Sequence, residues 1–422
     1  MMIELINTGT ELLLGRVLNS HQQWLGQRLA DLGYPVNRQV AVADSACDIE
    51  RAVREALERA DLVITTGGLG PTSDDLTRGV IARMLGRKLR EDEAVLAQIK
   101  SFFTQLKRRM PASTRAEALV PEGALVLPNA NGTAPGLALD LQPNPYRSDG
   151  QISWLVLLPG PPRELRPMFA ESVVPLLRRA FPPKESFVCR TLRSIGIGES
   201  VAQEKISGPL ESLVEAGLEL AYCARPGQVD VRLAARGANA EKLVDEGQAL
   251  VRARLGDDIF GQDDDELAAI VVHLLTERRQ TLAVAESCTG GCLAHQLTNV
   301  PGASAVFLSG FITYSNEAKQ KFLGVKTATL EQHGAVSEAV ACEMAEGARR
   351  ANSADYALAV TGIAGPSGGT PQKPVGTVFI ALASTGQTQV WRRQNPWDRV
   401  TFKEVTARQA LNELRLRLRK NS

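Results

Sequence analysis

The sequence predicts an α/β protein in three parts: a parallel-sheet N-terminal domain over 1–180, a small α+β middle module over 187–261 and an α/β C-terminal domain over 265–420. Three observations carry that prediction. Short apolar runs alternate with amphipathic stretches in the first and last thirds, the pattern of strands buried on both faces by crossover helices. At 422 residues the chain outgrows one core, since domains commonly hold about 100 to 200 residues. Pro182 and Pro183, then the acidic run GQDDDE at 261–266, punctuate the chain where the pattern changes.

In the N-terminal domain, MIELINTG, SHQQWLGQRLADLG, VNRQVAVAD, CDIERAVREALERA and DLVITTGG read as βαβαβ. A parallel sheet follows, with ligands at the C-terminal ends of its strands. The run QISWLVLLPGPPRELRPMF adds a buried strand turning into a helix. The middle module reads as strand FVCRTLRSIG, a helix from SVAQEKI, a hairpin whose turn is supplied by Pro226 and Gly227, and helix NAEKLVDEGQALVRARLG. It holds no catalytic cluster. After the helix ELAAIVVHLLTERR come strand TLAVAES, helix TGGCLAHQLTN, strand VFLSGFITYS, helix SEAVACEMAEGARR, strands YALAVTG and VGTVFIALAS, and a last helix. That last helix carries an apolar stripe, Ala407, Ala410, Leu411, Leu414 and Leu418, and ends in Arg415, Arg417, Arg419 and Lys420, which suit its dipole.

Composition narrows the function. With 44% hydrophobic and 23% charged residues the chain should fold. Its 48 Lys plus Arg against 47 Asp plus Glu supply no global basic field for nucleic acid or an anionic membrane, so small-molecule chemistry is favoured. No basic segment precedes the first apolar stretch, and no apolar run approaches the ~20 residues of a membrane span, so a cytoplasmic protein is expected. Six scattered cysteines imply free thiols; Cys288 and Cys292 lie four apart without partners at zinc spacing.

The sharpest chemical signal is AVAESCTGG, where a strand ends at Ser287 and Thr289, Gly290 and Gly291 open a helix. A serine there is exposed at the strand edge, and N–H groups from Cys288 to Gly291 could receive an oxyanion or phosphate. Such a serine is equally at home as a helix N-cap. The segment FITYSNEAK then presents Tyr314 and Lys319, which could deprotonate a serine without any histidine, provided that Lys319 loses its proton. A solvated surface lysine is the plainer reading of Lys319 alone. Third, AVTGIAGPSGG carries Thr361, Gly362 and Gly365 in a loop that can cradle phosphate.

These motifs, in this order, resemble the C-terminal domain of the CinA family, which is similar to stand-alone nicotinamide mononucleotide amidohydrolases. The resemblance implies Ser287 as nucleophile, Tyr314 and Lys319 in proton transfer, Thr289, Gly290, Gly291, Thr361, Gly362 and Gly365 around the substrate, and Arg399 near its phosphate. It implies hydrolysis of nicotinamide mononucleotide to nicotinic acid mononucleotide and ammonia, without a cofactor.

A second cluster, TTGGLGPTSDDLT, places Gly67, Gly68 and Gly70 beside Asp74 and Asp75. Glycines favour phosphate, whereas adjacent carboxylates beside it call for a divalent cation or else cap the following helix. With INTGTELLLG, NGTAPG and LPGPPRE, the cluster resembles the MoaB/MogA-type molybdopterin-binding domain and the N-terminal domain of the CinA family. That resemblance implies ligand contacts at Thr10, Glu11, Asp44, Gly67, Gly68, Thr77, Asn131, Gly132 and Glu164, metal contacts at Asp74 and Asp75, and ADP-ribose pyrophosphatase activity with Mg²⁺ or Co²⁺, assisted by K⁺. One departure bears on that activity: Ala116 and Glu117 stand where family members often carry Lys-Gln. The resemblance also implies a homodimer. The alternative function is a competence- or DNA-damage-associated accessory protein that binds a pterin or nucleotide without catalysis.

Overall fold

The computed structural model describes residues 1–420 as two compact units, 1–188 and 189–422 by their chain limits. In the first, the six-stranded sheet runs in the order Arg38–Val42, Ile3–Thr8, Leu62–Thr66, Ser153–Leu158, Gly136–Leu141, Leu125–Leu127. The first four strands are parallel. The last two pair antiparallel, so the expected parallel sheet carries an antiparallel edge. Every residue of Ile3–Thr8, Leu62–Thr66 and Ser153–Leu158 is buried, so their apolar residues fall on both faces rather than in strict alternation. Side chains alternate between two cores: Val63 and Leu155 on one face, Ile64 and Val156 on the other.

In the second unit, a four-stranded sheet in the order Glu219–Arg225, Gln228–Arg236, Phe187–Ile195, Ile259–Gln262 carries the helices Glu199–Glu215 and Ala240–Leu255. The Pro226–Gly227 hairpin turn is as the sequence predicts, with Gly227 at φ 76. A five-stranded sheet follows, in the order Phe307–Ile312, Leu282–Glu286, Tyr356–Gly362, Thr377–Ser384, Gln387–Gln394. The first three strands are parallel and the last two antiparallel. The strand Gln387–Gln394 is absent from the sequence reading because QTQVWRRQ is polar and lies half exposed at the sheet edge.

The two faces of this sheet differ in side-chain size. Leu282, Val284, Leu358 and Val360 face the helices Leu267–Arg278 and Arg399–Lys420. Ala283, Ala285, Ala357, Ala359, Ala381 and Ala383 face the helix Glu338–Asn352, itself lined by Ala341, Ala345 and Ala348. Small residues on both partners let that helix approach the sheet closely; toward the helix Asn316–Leu323, a β-carbon on Gly347 would lie 1.9 Å from the Leu323 carbonyl oxygen. Arg415, wholly buried, donates from the C-terminal helix to the carbonyls of Ile259 and Asp257, which ties that helix to the small sheet. Among the described residues no helix is long and apolar enough to cross a membrane.

Candidate functional site

Three parallel strands of the five-stranded sheet end side by side at Ser287, Thr313 and Thr361. The ladder holds them there: Ser287 N–H donates to the Val360 carbonyl at 3.0 Å, and Thr313 N–H to the Glu286 carbonyl at 2.8 Å. Beyond Ser287 the backbone turns through Gly290 at φ 58 and Gly291 at φ 98, left-handed conformations that a β-carbon resists. The helix then starts at Cys292, three residues later than the sequence implies.

Lys319 lies in the helix Asn316–Leu323, whose start is fixed by the Ser315 hydroxyl accepting the Ala318 N–H at 3.1 Å. Its side chain is not solvated: Lys319 is 1% exposed and Ser287 9%. The ammonium nitrogen Nζ lies 3.1 Å from Ser287 Oγ, 2.8 Å from the Thr313 carbonyl oxygen and 3.5 Å from that of Tyr314. Burial pushes the Lys319 pKa below the ordinary lysine range, against the opposing pull of Cys288 and Glu317. A neutral amine has two N–H donors and one lone pair. Here two carbonyls stand ready for the donors, which leaves the lone pair for the serine O–H. The neighbouring thiol offers no rival nucleophile, since burial pushes Cys288 up to about 12.

Two expectations need correction. Gly290 and Gly291 are not free oxyanion donors: Gly290 N–H goes to the Ser287 carbonyl at 3.2 Å and Gly291 N–H to the Glu286 carboxylate at 3.0 Å. Glu286, wholly buried, also accepts from Leu293 at 3.0 Å and Ala294 at 2.8 Å. A carboxylate at a helix start satisfies orphan N–H groups and the positive end of the dipole. Nothing in AVAESCTGG marks this role along the chain, because an acidic residue at the end of a fully buried strand gives no periodic signal. The second correction concerns Tyr314. Its side chain is 62% exposed and its hydroxyl accepts from Arg399 at 2.7 Å, while Lys319 meets only its main-chain carbonyl.

Arg399, the first residue of the C-terminal helix, also donates to the Gly365 carbonyl at 2.9 Å. This joins Arg399, Tyr314 and Gly365 at the rim of the buried pair. Thr361, buried, donates its hydroxyl to the Ala335 carbonyl at 2.8 Å, which leaves its oxygen able to accept. Thr289 is buried with its hydroxyl unpaired among the described residues. Gly362 keeps its strand close to the next, since a β-carbon there would lie 2.8 Å from the Thr377 carbonyl oxygen. One further cation went unremarked in the sequence: Lys403, a turn after Arg399, brings its Nζ to 3.8 Å from where a Gly290 β-carbon would stand.

The first unit has its own cavity of about 400 Å³ over the ends of the strands Ile3–Thr8, Leu62–Thr66 and Ser153–Leu158. Glu11, Asp44, Gly67, Gly68, Asp74, Asp75 and Glu164 line it, as does Glu117. Thr10 and Asp44 bond reciprocally, at 2.8 Å and 3.1 Å. Thr77 stands behind the lining, its N–H on the Gly68 carbonyl at 3.1 Å. Gly132 lies buried against Glu164, whereas Asn131 is exposed and outside the lining. Glu164 accepts from Asn129 at 2.8 Å. Burial pushes the Glu117 carboxyl up to about 7; Thr133 and Arg78 oppose the rise, and Glu164 and Asp75 add to it.

Asp74 and Asp75 both line the cavity. Asp75 takes the Thr72 N–H at 3.0 Å and its hydroxyl at 2.5 Å, while Asp74 is exposed. No group of three or more His, Cys, Asp or Glu side chains among the described residues is placed to hold a metal ion. Nor is Gly67 a free phosphate donor, since its N–H is spent on the Leu158 carbonyl at 2.9 Å.

Comparison with known proteins gives these sites their setting. Residues 264–418 match the CinA C-terminal domain, residues 4–179 the domain described as "Probable molybdopterin binding domain", and residues 189–261 the damage-inducible protein CinA KH domain. A CinA-like protein of Akkermansia muciniphila is 44% identical over 410 residues, 97% of this chain and 95% of that one. A relative from Caldicellulosiruptor bescii, named for competence-damage induction, is 44% identical over 421 residues, 99% of each. A solved competence/damage inducible protein from Agrobacterium tumefaciens is 42% identical, covering 36% of this chain and 93% of its own, with a TM-score of 0.35. With near-complete coverage at that identity, the chain belongs to the CinA family, its MoaB/MogA-like domain, KH-type module and CinA C-terminal domain following one another in a single polypeptide.

Proposed function

We propose that the C-terminal domain is a serine amidohydrolase that converts nicotinamide mononucleotide and water to nicotinic acid mononucleotide and ammonia. The observation that carries this reading is the buried Lys319 Nζ at 3.1 Å from Ser287 Oγ, with carbonyls to hold the amine's own protons. Ser287 Oγ attacks the carboxamide carbon as its proton passes to the Lys319 lone pair. The tetrahedral adduct collapses when Lys319 returns that proton to the departing nitrogen, which leaves as ammonia. A water molecule, deprotonated by the same amine, then cleaves the acyl ester and frees the carboxylate product and the Ser287 hydroxyl. Arg399, held by Gly365 and Tyr314, takes the substrate phosphate.

The test is ammonia release from nicotinamide mononucleotide by the purified full chain, with chelator present. Wild type releases ammonia and Ser287→Ala does not; equal rates, or none from wild type, overturn the assignment. In the latter case the accessory reading, a pterin- or nucleotide-binding protein without catalysis, is the one left standing. The KH-type module, with 9 Lys plus Arg against 11 Asp plus Glu over 189–261, has no net positive charge with which to recruit a phosphate backbone. For the N-terminal domain, the cavity at the strand ends supports ligand binding. ADP-ribose hydrolysis is checked by AMP formation with Mg²⁺ or Co²⁺ added; no AMP removes that activity from the reading.

A further inference from the structure

The KH-type module and the C-terminal domain share one compact unit, and a single helix connects the module to the site. Loop tips ordinarily face water. The hairpin tip Pro226–Gly227 instead lies against the helix Arg399–Lys420. A β-carbon on Gly227 would stand 3.3 Å from Val405 Cγ1 and 3.5 Å from its Cγ2. With φ at 76 as well, the position calls for glycine, which lets the backbone come this close. Val405 is 2% exposed, although it stands outside the apolar cluster that takes Phe402, Ala410, Leu411 and Leu414. In the next turn Arg408 donates through Nη1 to the Pro226 carbonyl at 3.3 Å and through Nη2 to Glu404 at 3.2 Å. The tip is tied back to its own module, the Gly227 carbonyl accepting the Gly196 N–H at 3.4 Å.

The start of the same helix reaches the Ser287–Lys319 pair. Arg399 donates to the Gly365 carbonyl at 2.9 Å and to the Tyr314 hydroxyl at 2.7 Å. Asp398 caps the first turn, accepting from the Val400 and Thr401 N–H groups. Further along, Arg415 clamps the helix to the carbonyls of Ile259 and Asp257. At 1.5 Å per residue Arg399 lies about 24 Å from that clamp, so a tilt of about 3° moves the helix start by roughly 1 Å. A shift of that size carries a bond of 2.7 or 2.9 Å past the ordinary limit of about 3.2 Å. We propose that the hairpin tip braces the helix against this tilt, with Arg408 the positioning residue that sets Arg399 for the substrate phosphate. The phosphate half of this inference rests on the amidohydrolase reading; the brace itself does not.

Ammonia release and amide hydrogen exchange, both on the full chain, test it together. Arg408→Ala is expected to raise KM for nicotinamide mononucleotide about three- to tenfold, the scale of one hydrogen bond, with kcat within about twofold of wild type. Arg408→Lys, which keeps a donor, recovers most of that loss. Glu404→Gln removes the ion pair within the helix but leaves the bond to Pro226, and KM stays at the wild-type value. In an Arg399→Ala background Arg408→Ala raises KM no further, because the brace acts through Arg399. Exchange in Arg408→Ala quickens over residues 399–405 and not over 410–418, where the core and Arg415 hold the helix. A wild-type KM, or wild-type exchange over 399–405, overturns the proposal. So does a KM loss that persists in the Arg399→Ala background, or exchange that quickens along the whole helix, since either marks general loosening. If wild type releases no ammonia, the amidohydrolase reading falls and the exchange pattern alone decides the brace.

Discussion

Replacing Lys319 with methionine separates the chemistry of the site from its packing. Methionine matches the length of the stem and its thioether suits a buried position, but it removes the amine 3.1 Å from Ser287 Oγ. Loss of a positioned general base costs about 10²- to 10⁴-fold, or roughly 3 to 5 kcal/mol of barrier at 1.36 kcal/mol per tenfold. On stability, two terms oppose each other. The Thr313 and Tyr314 carbonyls lose their donor, at about 1–3 kcal/mol for a buried group left unpaired. Against this, the variant no longer buries an amine whose charged form is disfavoured there. The melting temperature should therefore move by only a few degrees while turnover collapses.

The pH dependence gives the sharper reading. The base must be uncharged, so activity is lost as pH falls through the folded-state pKa of Lys319. Burial has lowered that pKa, so the wild-type rate should level off below the ~10.4 of a free lysine. Stability follows the same group: between the folded and unfolded pKa values the unfolded chain binds more protons, so stability rises with pH across that window. Measured as ammonia release in a single turnover, Lys319→Met should lose both the rate and its lysine limb. A variant with kcat within threefold of wild type, or an unchanged pH profile, refutes the assignment of Lys319 as base.

Further expectations follow from the neighbouring residues. Cys288→Ala should keep ammonia release within a few-fold, because a thiol held at about 12 supplies no thiolate at neutral pH; a loss above 100-fold would make sulfur the nucleophile. Arg399→Ala should raise KM for the nucleotide by roughly 10- to 100-fold with a smaller change in kcat, the scale of a charged hydrogen bond of about 1.5–3 kcal/mol. An unchanged KM would detach Arg399 from the phosphate. Glu286→Gln should lower stability by about 1–3 kcal/mol in denaturant melts, since a single amide oxygen must replace two carboxylate oxygens that accept from Gly291, Leu293 and Ala294. No measurable destabilisation would mean that the helix start needs no internal anion.

Much of this protein was legible in the order of its residues. Strands such as Leu62–Thr66 and Leu282–Glu286 open on unbroken apolar runs because both faces of their sheets are covered. The motif around Ser287 announced its turn through glycines whose positive φ the structure bears out. Other features were invisible for physical reasons. The strand Gln387–Gln394 is polar because it forms a sheet edge, and local composition does not record an edge. A lysine beginning a polar helix looks solvated in one dimension. Only the sheet, by ending three strands side by side, brings Lys319 from 32 residues away onto Ser287 and strips water from both.

The same division holds in the N-terminal cavity, where Glu117 stands out along the chain but its burial does not. Sequence by itself determined which segments form strands and helices and which residue types were on hand, since periodicity and turn chemistry are local. Tertiary structure decided the state of each group, because burial and the positions of remote donors set it. Gly67, Gly290 and Gly291 looked like free amide donors and are spent on other partners; Asp75 looked like a bare metal ligand and holds the Thr72 N–H and hydroxyl. An amine's proton and a carboxylate's partners are settled by the distances that folding creates between residues far apart along the chain.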